Sequence, residues 1–68
     1  MPYVNVKLTR GGVTRQHKQR LVEKITQALV DELGKAPEHI HVVIDLIDDE
    51  NWGYAGMLTD DYRRSVSG

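Results

Sequence analysis

A proline at position 2, directly behind the initiator Met1, can place a secondary amine at the start of the chain. Initiator methionine is usually trimmed before small residues, so the mature chain is expected to begin at Pro2, with a free ring nitrogen in place of an amide. Such a nitrogen is a base that can take a proton from carbon and give it back. An α-amino group ordinarily titrates at about 7.7–8.0, and a secondary amine is more basic still. Neutrality near pH 7 therefore requires burial or nearby cations. The competing role for Pro2 is only to protect the terminus and stiffen the first strand. Other groups stand out by type and spacing. Arg10 precedes the Gly11-Gly12 pair, and His39 and His41 alternate ahead of Asp45. Trp52 and Tyr54 lie among glycines, and Arg63 and Arg64 stand near the end. His39, His41 and Asp45 are ligand types that zinc accepts. Alternating histidines are ordinary on a strand, however, and no supporting shell of residues is visible, so no metal is expected. Gly11-Gly12 lacks the lysine that a phosphate-binding loop requires.

These groups need elements to hold them. Tyr3 to Leu8 alternates, with Val4, Val6 and Leu8 on one face and Tyr3, Asn5 and Lys7 on the other, which predicts a half-buried strand. Thr14 is a good N-cap for an amphipathic helix whose stripe is Leu21, Val22, Ile25, Ala28, Leu29 and Leu33. Gly34 supplies its stop and Pro37 prevents resumption. Ile40 to Ile47 is the strongest strand, with Ile40, Val42, Ile44 and Leu46 on one face and Val43 and Ile47 on the other. Strand, helix and strand with short loops make a βαβ unit, with parallel strands and a right-handed crossover. Asp48 to Met57 reads as a loop or small hairpin in which Gly53 and Gly56 serve turn geometry. Thr59-Asp60-Asp61 is expected to cap one helical turn before a frayed tail.

Length and charge narrow the classes. A chain of 68 residues makes one domain, 1–68, and an α/β mini-domain of this size is marginal as a monomer. It has no cysteine, so neither a disulfide framework nor a thiolate metal site can compensate. Two strands also leave two open edges and one sheet face bare, which neighbouring subunits would cover. Oligomerisation is therefore expected. The net charge of −1, with both signs interspersed, argues against nucleic acid as a partner. No apolar run reaches the length of a membrane span and no basic-then-apolar leader opens the chain, so a soluble cytoplasmic protein is expected.

Several of these pieces occur together in a known order. Met1-Pro2 leads straight into a strand, and Gly11-Gly12-Val13-Thr14 leads into the helix. Leu33-Gly34-Lys35-Ala36-Pro37, the Ile40-to-Ile44 strand and Asn51-Trp52-Gly53-Tyr54-Ala55-Gly56 follow. In this the chain resembles the 4-oxalocrotonate tautomerase family, the short-chain members of the tautomerase superfamily, over most of its length. The resemblance implies homohexamers built as trimers of dimers, with a four-stranded sheet and two helices per dimer. It also implies cofactor-free proton transfer by the amino-terminal proline. The family's base falls on Pro2, and the hairpin aromatic that walls the site falls on Trp52. The family's arginine at the start of the second long strand falls on His41. Its other arginine, after the glycine of the first loop, falls on Val13, with Arg10 the nearest replacement. Whether Arg10 or His41 supplies the missing positive charge stays open.

The resulting expectation is a tautomerase that interconverts keto and enol forms of an unsaturated or aryl 2-oxo acid. Pro2 would be its acid–base group, Arg10, His41 and Trp52 would contact substrate, and it would need no cofactor. Hydration or dehalogenation of an unsaturated acid, with Asp45 or Glu50 activating water, is the enzymatic alternative. A non-catalytic oligomeric scaffold that binds small molecules is the other. Geometry adds a constraint: the six-residue strand from Tyr3 to Leu8, at about 3.3 Å per residue, keeps Pro2 and Arg10 at least roughly 20 Å apart within one chain. Trp52 follows the second strand and belongs to the same far end. An antiparallel neighbour would be needed to bring the two ends together, so each site is expected to be shared. Arg63 and Arg64 would either be solvated or reach a neighbour's site.

Overall fold

The computed structural model describes residues 1–67. Strand β1 (Tyr3–Thr9) and strand β2 (His41–Ile47) pair in parallel, in register from Tyr3 opposite His41 to Thr9 opposite Ile47. Helix α1 (Arg15–Leu33) joins them. This is the βαβ unit that the two alternating runs predict. Val4, Val6, Leu8, Val42, Ile44 and Leu46 share the face beneath the helix, and all are half-buried. Ile40 stands just before β2 rather than in it, yet it is the most buried apolar residue described, at 9% exposure.

Thr14 caps α1 as its sequence position suggests, accepting a hydrogen bond from the His17 backbone N–H at 3.1 Å. The reciprocal bond comes from an unexpected partner. His17 Nδ1, in the place usually held by glutamate or glutamine, accepts the Thr14 N–H at 3.1 Å. Gly34 ends the helix at φ 65°, donating its N–H to the Val30 carbonyl. The buried stripe differs from the expected one. Thr26 and Val30 are half-buried, whereas Ala28 and Leu33 are exposed. Ala28 lies on the flank of the Val22–Leu29 line. Leu33 sits in a turn that overhangs the sheet: 19 helical residues span roughly 28 Å, against roughly 23 Å for seven strand residues.

A short 3-10 turn, Pro37–His39, leads into β2. His39 therefore does not share a strand face with His41 and Asp45, as the alternation suggested. Beyond β2 a second 3-10 turn, Asp49–Asn51, precedes a hairpin of β3 (Gly53–Tyr54) and β4 (Met57–Leu58). Its two turn residues, Ala55 and Gly56, both have positive φ, 56° and 73°, the turn whose twist matches paired strands. Gly53 is not a turn residue. It lies in β3, where an added Cβ would come within 3.3 Å of the Met57 carbonyl.

The expected single turn and frayed tail is instead a helix, α2 (Thr59–Ser67). Thr59 anchors it at 1% exposure, with its N–H and its hydroxyl both donating to the Trp52 carbonyl, at 2.8 and 2.7 Å. Asp60 and Asp61 at its start and Arg64 at its end suit the helix dipole. Tyr62 packs on Tyr54 with ring centres 4.7 Å apart.

The chain is long rather than round, with extents of 48 × 24 × 16 Å. Its radius of gyration is 15.6 Å, where a compact domain of this length would have about 11 Å. No helix among the described residues is long and apolar enough to cross a membrane.

Candidate active site

The sheet divides the expected site residues between its two ends. At the near end the His41 N–H donates to the Pro2 carbonyl at 3.0 Å, which fixes the backbone of Pro2 where β1 begins. His41 is exposed and shares its sheet face with Tyr3, which stands opposite it. Pro2 and His41 are thus neighbours. The backbone here is positioned by the ladder, and the ring of Pro2 lies where nothing needs its nitrogen as a ladder donor.

At the far end the Arg10 N–H continues the ladder to the Ile47 carbonyl at 3.1 Å. Its guanidinium is already engaged. Nε donates to Asp48 Oδ1 at 2.7 Å and Nη2 to the Leu46 carbonyl at 3.1 Å. A substrate carboxylate at Arg10 would therefore compete with Asp48 in an exposed ion pair, a modest obstacle. Trp52 is half-buried. Its backbone N–H donates to the Asp49 carbonyl at 3.3 Å and its carbonyl accepts from Thr59, so the backbone of Trp52 is tied on both sides. Within one chain, then, Pro2 and His41 come together, while Arg10 and Trp52 stay at the other end of the sheet.

Asp45 and Lys7 are paired across the uncovered sheet face. Asp45 Oδ2 accepts from Asn5 Nδ2 and from Lys7 Nζ, both at 3.0 Å. The Asn5 hydrogen bond, then Lys7, hold this carboxyl below its ordinary value. Arg63 is paired with Asp49 at 3.1 Å and Arg64 with Asp61, so neither belongs to a frayed tail.

One cluster was not anticipated. Beside the far end of β1 a cleft of about 390 Å³ is lined by Leu8, Val13, His17, Arg20, Leu21 and Lys24. The signal for it lay in the spacing of His17, Arg20 and Lys24, three and four residues apart on one flank of α1. It becomes meaningful only once Val13 and Leu8 are seen to face them.

Comparison with known proteins fits this architecture. The family model described as "Tautomerase enzyme" matches residues 2–62. This chain belongs to the tautomerase family. The probable tautomerase K2 of Dickeya dadantii is 42% identical over 67 residues, covering 98% of this chain and all of that protein. The 2-hydroxymuconate tautomerase of Pseudomonas putida is 33% identical over 64 residues, covering 94% of this chain and all of the relative. The crystal structure of DmpI from Helicobacter pylori superposes with a TM-score of 0.86 at 35% identity, covering 93% of this chain and 97% of that one. The chain is accordingly an isomerase of the 4-oxalocrotonate tautomerase type with the tautomerase fold.

Proposed function

We propose that this tautomerase is a cytoplasmic, cofactor-independent enzyme acting on unsaturated or aryl 2-oxo acids. The amino-terminal Pro2, after loss of Met1, serves as its acid–base group. The observation that carries this is the placement of Pro2: its carbonyl is held by His41, while Met1 before it is 85% exposed. Within the chain Met1 packs on little, and its removal would leave the ring nitrogen beside a carbonyl that His41 holds. Neutral Pro2 takes a proton from the carbon next to the keto group. The resulting enolate is stabilised by nearby donors and takes a proton on oxygen to give the enol; in the reverse, ketonising direction Pro2 takes the enol hydroxyl proton and delivers it to carbon. A cation near the substrate carboxylate would also favour the neutral amine, because like charges disfavour its protonation.

The site is proposed to be shared in a homo-oligomer, a hexamer built as a trimer of dimers. The support is physical. Only Ile40 and Thr59 are buried among the described residues, while Tyr3 is 64% and Leu33 59% exposed. Trp52 would then wall the site from a neighbour, with His41 or Arg10 contacting the acid.

The hydratase alternative finds little support. It needs Asp45 or Glu50 to activate water. Asp45 is held ionised by Asn5 and Lys7, and a carboxyl of lowered pKa is a weaker base. Glu50 stands in the 3-10 turn beyond β2, at the end of the sheet away from Pro2.

The test is the ketonisation rate of 2-hydroxymuconate and phenylenolpyruvate, for the Met1-processed chain and its Pro2→Ala variant. A loss of about two or more orders of magnitude on removing the proline is expected. Equal background rates for both proteins would overturn the reading.

A further inference from the structure

The cleft beside the far end of β1 has an apolar floor and a basic rim. Leu8, Val13 and Leu21 form the floor; His17, Arg20 and Lys24 form the rim, and no acidic residue lines it. Its volume of about 390 Å³ is enough for a small organic acid. Two features leave its cations available. Among the described residues the ion pairs engage Lys7, Arg10, Arg63 and Arg64, but neither Arg20 nor Lys24. Glu23, the nearest acid along the helix, accepts from Gln19 Nε2 at 3.0 Å. His17 is fixed as well. Its Nδ1 accepts the Thr14 N–H, so in the neutral ring the proton lies on Nε2, which is left as a donor.

We infer that Arg20, assisted by His17, binds the substrate carboxylate in this cleft, with the unsaturated or aryl body of the acid lying on Leu8, Val13 and Leu21. The inference rests on the tautomerase reading and deepens it by assigning the carboxylate contact to the helix. Val13, where the resemblance would put an arginine, lines the same cleft as Arg20. A guanidinium at either position would face the same space. Arg10, in contrast, already has Asp48 and the Leu46 carbonyl as partners. The cleft lies at the end of β1 opposite Pro2, where an antiparallel neighbour would deliver its own Pro2. A guanidinium can hold a carboxylate through two parallel hydrogen bonds, and the apolar floor favours a single-headed acid over a compact diacid.

Cinnamate, an unreactive aryl unsaturated acid, is the probe, with neutral cinnamamide as the control. Titration calorimetry of the Met1-processed chain is expected to show cinnamate binding more tightly than cinnamamide. Arg20→Ala should weaken cinnamate about tenfold or more, the size of a lost charge-assisted hydrogen bond, and leave cinnamamide unchanged. Adding Val13→Arg to that variant returns a guanidinium to the cleft and should recover cinnamate binding. KM for phenylenolpyruvate should follow the same order, with kcat less affected. Cinnamate affinity indifferent to Arg20, or an equal loss for cinnamate and cinnamamide, overturns the inference. The two readings fail separately. Turnover that depends on Pro2 but has a KM indifferent to Arg20 removes only the carboxylate assignment. Cinnamate binding through Arg20 without turnover of either enol acid removes only the proposed substrates and proline chemistry.

Discussion

Asp45 has two partners on one oxygen, Asn5 from one strand and Lys7 from the same strand two residues on, and it occupies the sheet face that α1 does not cover. Its carboxyl is half-exposed, and its folded pKa lies below the ordinary 3.8 because both partners favour the ionised form. A depressed folded value means that the stabilisation is present above the unfolded pKa and is lost as pH falls through the folded one. Asp45→Asn should therefore lower stability at pH 7, and the difference from the parent should shrink steadily below pH 3.8. Denaturant melts at a series of pH values check this; a difference that stays constant into acid would show that the charge contributes nothing. At this scale the sequence was only partly legible. Pro2, His41 and Trp52 stand out by type and place. His17 and Arg20 do not, because a histidine closing a capping box and an arginine facing a loop valine acquire meaning only when α1 lies over Leu8.

Elements differ in how openly they are written. β1, α1 and β2 follow from periods of two and about 3.6, because each buries one face against another. Helix α2 does not, since Tyr62 and Val66 are its only apolar residues beyond Thr59. It is secured through tertiary contacts: Thr59 on the Trp52 carbonyl and Tyr62 on Tyr54. The same contact positions Trp52, so α2 and the candidate wall of the site depend on one another. Thr59→Val keeps the shape and deletes the hydroxyl, while the backbone N–H still reaches Trp52. The expected cost is about 1 kcal/mol, the net value of an ordinary hydrogen bond, and more if the carbonyl is left short of partners. Thermal melts followed by Trp52 fluorescence measure it, since this is the sole tryptophan. Unchanged melts would mean that the N–H alone secures the helix.

For the whole molecule the decisive fact is that one chain separates Pro2 from Arg10, Trp52 and the Arg20 cleft by the length of a seven-residue strand. An elongated body with a 15.6 Å radius of gyration and almost nothing buried is also poorly suited to stand alone. Both difficulties are resolved if two copies pack antiparallel, so that each near end meets the other's far end. That arrangement makes a quantitative prediction. Chains carrying Pro2→Ala and chains carrying Arg20→Ala are each expected to be inactive or impaired. Unfolded together in equal amounts and refolded, half of the dimers formed are mixed, and a mixed dimer has one intact site of two. About a quarter of all sites should then recover full function. The readout is kcat/KM for phenylenolpyruvate. Sites built within single chains would give no recovery at any mixing ratio, because each chain would carry its own lesion into its own site. The recovered fraction thus measures whether the proline and the cation come from different chains, independently of how many dimers the final assembly contains.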